Sequence, residues 1–136
     1  MRRHGREPQQ IQIAGTGWEF ERIGYEGALD AIAQDRFPTD TVLCSNDRLA
    51  IGLLAACYER GLRVGRDSDC HLRVASHDDH PFSRYTSPAL TTAAHDYDAV
   101  SDKSVETLFE LIESGGRFAS RPETLYASRL ILRASA

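Results

Sequence analysis

Basic surplus, cysteine pairs and long apolar runs are all scarce in this 136-residue chain, and each scarcity removes a class of function. Lys and Arg number 16 against 20 Asp and Glu, a formal net charge of −4. Affinity for nucleic acid comes largely from neutralised phosphates, so the chain as a whole is a poor electrostatic partner for DNA. Arg2, Arg3 and Arg6 make a basic start too small to change that, and residues 1–10 read as a disordered basic tail. The 3 cysteines, Cys44, Cys57 and Cys70, are odd in number, and their spacings fit neither a disulfide framework nor a zinc site. Cys44 falls in a predicted strand and Cys57 in a predicted helix, so both read as small buried hydrophobes. A reducing cytoplasm is the expected compartment. No apolar run is long enough to cross a bilayer, and the N-terminus lacks the apolar core of a signal peptide. Gly15, Gly17 and Gly24 do not form a dinucleotide fingerprint. No serine sits on a nucleophile elbow. Neither catalysis nor a cofactor is expected.

What the chain does have is a short apolar run that ends in polar residues and passes straight into a helical pattern: Val42-Leu43-Cys44-Ser45-Asn46-Asp47-Arg48-Leu49-Ala50-Ile51-Gly52. In open α/β folds, ligands are held outside the carboxyl ends of the strands. An Asn-Asp pair there is suited to capping the helix, to binding a polyol, or to both. The pattern recurs about thirty residues on as Leu72-Arg73-Val74-Ala75-Ser76-His77-Asp78-Asp79. Two acidic strand tips in one unit point to a small-molecule site.

Around these tips the chain alternates between strand and helix signals. Ile11 to Ala14 reads as a short strand, Arg22 to Ala33 as a helix, Thr41 to Cys44 as a strand and Arg48 to Arg60 as a strong helix. That helix is apolar on most sides, which calls for two covers, the sheet and something else. Gly61 followed by Leu62 resembles a helix C-cap with its hydrophobic contact. Leu72 to Ala75 is the next strand, and this spacing implies a parallel sheet with right-handed crossovers. His80 to Thr92 is loop-like, punctuated by Pro81 and Pro88. Tyr97 to Ser114 is a third helix ended by Gly115-Gly116, and Glu123 to Arg133 a final irregular strand.

Five ordered motifs then carry a resemblance. Ser45-Asn46-Asp47-Arg48-Leu49-Ala50-Ile51-Gly52 resembles the "(A/S)ND-x-(M/L)A-(L/I)G" motif of the LacI/GalR family of transcriptional regulators, and Gly61-Leu62-Arg63-Val64 its "RGLRVP" run. Val74 to Tyr85 resembles "V-(V/I)-G-(Y/F)-D-(D/N)-x-P-x-(A/S)-x-Y". Pro88-Ala89-Leu90-Thr91-Thr92 is similar to "PPLTT", and Leu130 to Ser135 to "L-V-x-R-x-S". Ser76 stands where the family usually has Gly, and His77 where it has an aromatic.

The resemblance implies an α/β fold: a parallel-sheet sandwich, the C-terminal lobe of a periplasmic-binding-protein-like sensor, and incomplete. On that reading 11–92 form the lobe core, and 93–136 the crossover helix and final strand. The helix-turn-helix, the hinge and the sensor's first half are expected to be missing, so DNA is reached only through an absent N-terminal domain. The implied function is effector sensing and dimerisation within a transcriptional regulator that answers to a sugar-like molecule. A periplasmic-type sugar-binding fragment is the alternative, and a small α/β enzyme using Asp47, His77 and Asp78 a more distant one.

The expected effector-binding residues are Asn46, Asp78, Trp18 and Asp47. The Asn46 amide both donates and accepts, the Asp78 carboxylate is suited to two neighbouring hydroxyls, and Trp18 offers a flat face to a sugar ring or a purine. Asp79 reads as structural, and Arg48 as a solvated first-turn residue. His77-Asp78-Asp79-His80 raises a metal reading. Consecutive residues of an extended segment point to opposite faces, so four in a row do not converge on one ion, and no metal is expected. The resemblance implies a homodimer, with Ile51, Leu54, Phe82 and Tyr85 as the expected interface. Exchange of elements between chains is expected too, because the third helix lacks its lobe and a sheet edge is vacated. No membrane partner is expected.

Overall fold

The computed structural model describes residues 5, 7, 9–116 and 123–136; the basic residues of the predicted tail, Arg2, Arg3 and Arg6, lie outside them. The order is α1 (Phe20–Ala33), β1 (Thr41–Leu43), α2 (Asp47–Glu59), β2 (Arg73–His77), β3 (Thr91–Ala94), α3 (Tyr97–Glu113) and β4 (Arg129–Ile131). The strands lie side by side in sequence order, β1–β2–β3 parallel and β4 antiparallel to β3. The fold is therefore mixed α/β with a parallel-dominated sheet, as the alternation of patterns implies.

The two-sided apolarity of α2 is satisfied inside the chain. α2 lies on the sheet at β2 and is crossed by α1. The crossing is tight because glycine stands on both sides of it: a Cβ on Gly24 would lie 2.3 Å from the Leu49 carbonyl oxygen, and one on Gly52 only 2.1 Å from that of Glu21. Ala28, Ala50, Leu53, Leu54, Ala56, Cys57, Leu72, Val74 and Leu90 form the core between helices and sheet. Each fully buried Leu or Val contributes about 1.5–3 kcal/mol. α3 buries none of its residues, so the stability of the fold resides in this core and not in the third helix. All three helices end in the same way. Gly61 donates to the Tyr58 carbonyl and Leu62 to that of Cys57, Gly115 to Ile112 and Gly116 to Leu111, and Asp35 to Ile32 and Arg36 to Ala31. This paired 5→2 and 6→1 pattern is the Schellman motif.

Three expectations need correction. Ile11 to Ala14 is not a strand. A strand requires a neighbouring ladder, and this segment instead lies along α1, with Ile13 packed into the space over Gly27. Thr91 and Thr92, expected in a loop, open β3. A domain boundary after Thr92 therefore cuts a strand, and β4 and the buried Ser135 belong to the same sheet unit. Ser135 is its clasp: its hydroxyl accepts from the Thr91 amide at 2.8 Å and donates to the Val74 carbonyl at 2.6 Å.

Candidate functional site

Parallel β1 and β2 run in register from Thr41↔Arg73 to Leu43↔Ala75, so the segments that leave their carboxyl ends emerge at the same edge of the sheet. Asn46 comes after β1, Asp78 after β2 and His95 after β3. α1 leads into the start of β1, which brings its N-terminus, with Trp18 just before it, to that same end of the molecule.

At the first tip Asn46 is extended and caps α2, its Oδ1 accepting from the Leu49 amide at 2.9 Å. Asn46 itself is half-buried. Asp47 is wholly buried. Its carboxylate accepts from the His80 amide at 2.8 Å, the Ser83 hydroxyl at 2.5 Å and the Thr92 hydroxyl at 2.7 Å. A carboxylate with no exposed surface and three donors has nothing left to offer a ligand, which corrects the expectation that Asp47 contacts effector. It is the peg that ties the two strand tips together.

The second tip is strained. Asp78 and Asp79 have φ of 114° and 53°, left-handed values that cost a non-glycine residue about 1–3 kcal/mol each. Bonds from every side impose them. The Asp78 amide donates to the Ala93 carbonyl at 2.9 Å. The Asp79 amide donates to Thr92 Oγ1 at 3.2 Å. Arg133 Nη2 meets Asp79 Oδ1 at 2.5 Å, and its Nη1 meets the Leu90 carbonyl at 2.8 Å. Asp79 is structural, as expected. The Asp78 carboxylate is left at the surface, 2.9 Å from His77 Nδ1 and 3.4 Å from the Tyr97 hydroxyl. Burial, and then the neighbouring Asp78 charge, push the Tyr97 phenol above its ordinary value.

Trp18 is 80 % exposed, edge-on to Phe20 with centroids 5.8 Å apart. Arg48 is not a free solvated residue: it forms a two-pronged pair with Glu21 at 2.6 Å and lies 5.3 Å over the Phe20 ring. The hydrogen bond from Arg48 is the main reason the Glu21 carboxyl is held below its usual range.

Of the expected interface residues, Phe82 and Tyr85 are exposed and Ile51 is half-buried. Leu54 is buried in its own chain's core, where it shares the space lined by Leu62, Val64 and Pro88, which corrects its place in the expected interface. His95 was missed. The signal, a histidine at the end of an apolar strand, is visible only once β3 is recognised. A cavity of about 860 Å³ lies at the opposite end, among Tyr58, Gly61–Asp67 and Leu132–Ala134, away from every one of the strand-tip residues.

This architecture matches known proteins along its whole length. The periplasmic binding protein-like domain family covers residues 1–136, and the chain belongs to that family in the form found as the effector-binding domain of LacI/GalR-type regulators. It is 33% identical over 112 residues to the HTH-type transcriptional repressor PurR of Glaesserella parasuis serovar 5, a match covering 79% of this chain and 32% of that one. Among solved structures, it is similar to a sugar-binding transcriptional regulator of the LacI family from Escherichia coli complexed with phosphate, with TM-score 0.72 and 27% identity over 99% of this chain and 45% of that one. It is likewise similar to the lac repressor dimer bound to operator, with TM-score 0.70 and 28% identity over 84% and 37%. The chain thus spans about a third of the length of the curated relative.

Proposed function

We propose that this chain is the effector-sensing and self-associating portion of a cytoplasmic LacI/GalR-type transcriptional regulator, with Asn46, Asp78 and Trp18 contacting a sugar or similar polyol. The observation that carries the reading is the convergence of the Asn46 and Asp78 tips on one edge, locked by the buried Asp47. The Asp78 carboxylate takes charge-assisted hydrogen bonds from neighbouring hydroxyls, and the Asn46 amide supplies a complementary donor. The lobe core takes in β3, β4 and Ser135 together with residues 11–92, and α3 is the crossover helix. The apolar face of α3, with Val105, Leu108, Phe109 and Ile112 all more than half exposed, is the surface that packs on a second lobe. In the intact regulator the effector favours one arrangement of the lobes and so changes DNA affinity, which resides in another domain.

The half-cleft alone binds effector weakly, and this chain alone does not bind DNA. Self-association is supported by Phe82 and Tyr85 at the surface and by β1, whose outer edge carries no partner strand among the described residues and so invites pairing. The relatives are transcriptional regulators, which favours a non-enzymatic role.

The test is calorimetric titration with a panel of sugars, polyols and purines, together with an operator-like duplex. The reading predicts a weak sugar-class ligand lost in Asp78→Ala and no duplex binding. Nanomolar duplex binding, or ligand binding indifferent to Asp78, would overturn it.

A further inference from the structure

We propose that His77, Asp78 and His95 form a binding site for a divalent first-row transition-metal ion of the Zn²⁺ type. The three residues come from two neighbouring strand ends, β2 and β3, and one ligand atom from each lies within 4.8 Å of the others. This set differs from the run His77-Asp78-Asp79-His80, which the structure disperses: Asp79 is taken by Arg133, and the His80 ring stacks near Phe82. The left-handed turn removes the strand alternation that would have sent Asp78 away from His77.

The geometry suits one ion. His77 Nδ1 lies 2.9 Å from Asp78 Oδ1 and 3.5 Å from His95 Nε2. Ligands on bonds of about 2.0–2.1 Å at the tetrahedral angle are separated by about 3.3 Å, between those two spacings. The two rings meet edge to face with centroids 4.2 Å apart, and their Nε2 atoms share a 2.6 Å hydrogen bond, so an ion taken by His77 Nδ1 and His95 Nε2 replaces that bond between two imidazoles already in contact. Outer partners are in place: Ser128 Oγ sits 3.5 Å from His95 Nδ1, which turns Nε2 inward, and the Tyr97 hydroxyl sits beside Asp78. Such partners orient metal ligands.

Two imidazoles and a carboxylate select zinc, nickel, cobalt or copper over the oxygen-seeking calcium and magnesium. Three protein donors leave a position open to water or to a ligand oxygen. All three residues are partly exposed, so an ion has access from solvent. The assignment does not rest on the sugar reading, because it concerns the chain and the metal alone.

The test is titration of the untagged chain with ZnCl₂ by calorimetry, no sugar present. One ion per chain is expected. His77→Ala and His95→Ala should each weaken it by about tenfold or more, since loss of even an outer partner costs about 10- to 100-fold. His71→Ala and His80→Ala should leave it unchanged. Circular dichroism checks that each variant is folded. Should His77→Ala not fold, Cu²⁺ paramagnetic resonance of the unaltered chain decides: coupling to two imidazole nitrogens supports the site, and one or none overturns it. Zn²⁺ binding unchanged in the His77→Ala/His95→Ala pair, or no one-to-one complex at all, overturns it too. Loss of sugar binding with Zn²⁺ binding intact would count against the effector reading only.

Discussion

The buried carboxylate of Asp47, at the start of α2, accepts a 2.7 Å hydrogen bond from the hydroxyl of Thr92 in β3, and neither residue has measurable exposure. Thr92 in turn accepts from the Asp79 amide. One chain of bonds therefore runs from helix to strand to the strained turn that presents Asp78. Two of the sequence motifs, the Asn-Asp tip and the Leu-Thr-Thr strand, are halves of a single device.

Asp47→Ala orphans the His80 amide and the Ser83 and Thr92 hydroxyls in a dry interior. Unpaired buried donors and a broken buried network cost about 3–5 kcal/mol. Urea denaturation should show a loss of that size, and a loss under about 1 kcal/mol would mean that the turn is held by other contacts.

Gly52→Ala places a methyl 2.1 Å from the Glu21 carbonyl oxygen. Backbone cannot swing aside as a side chain does, so α1 and α2 must separate. Overpacking of this kind costs about 1–3 kcal/mol, against the small gain that alanine brings to an open helix position. A lowered melting temperature is the expected result, and an unchanged or raised one would show that the two helices part without cost.

Ser76 is buried and its hydroxyl has no partner. Ser76→Ala removes an unsatisfied polar group that costs about 1–3 kcal/mol. The substitution should raise stability by about 1 kcal/mol in the same denaturation assay. A decrease would show that the hydroxyl is hydrogen-bonded in solution.

Cys57 has no exposed surface, and burial pushes its thiol up from 9.0 to about 11. Iodoacetamide at neutral pH should label it only as fast as the chain unfolds. The folded chain holds this proton more tightly than the unfolded one. That contribution to stability is therefore complete below pH 9 and is lost as pH rises towards 11. Cys57→Ala should flatten this part of the alkaline stability profile.

The legible part of the fold is the part whose pattern is self-contained. The α2 run, its Asn46 cap and its Gly61 terminus each act within a few residues, and all three are read directly. The Ile11–Ala14 segment was illegible because a strand's existence depends on a neighbour, not on its own β-favouring residues. Thr91 and Thr92 looked like loop because Pro81 and Pro88 dominate the local signal, whereas β2 and β4 on either side make them strand. At the site, Asn46 and Asp78 were legible as strand tips. The fate of Asp47 was not, since its three donors come from positions 33 to 45 residues away in the chain. His95 joined the site only through the β2–β3 register, which pairs His77 with Ala93.

The central claim is that the sensing surface is the carboxyl edge of the sheet, where Asn46 and Asp78 follow the neighbouring strands β1 and β2. Amide chemical shifts of the isotopically labelled chain, followed during titration with a weakly binding sugar, test it most directly. The account predicts that Asn46, Asp78 and the residues beside them move together and that Asp78→Asn abolishes the movement. Shifts confined to the opposite cavity, around Gly61 to Asp67 and Arg133, would contradict it.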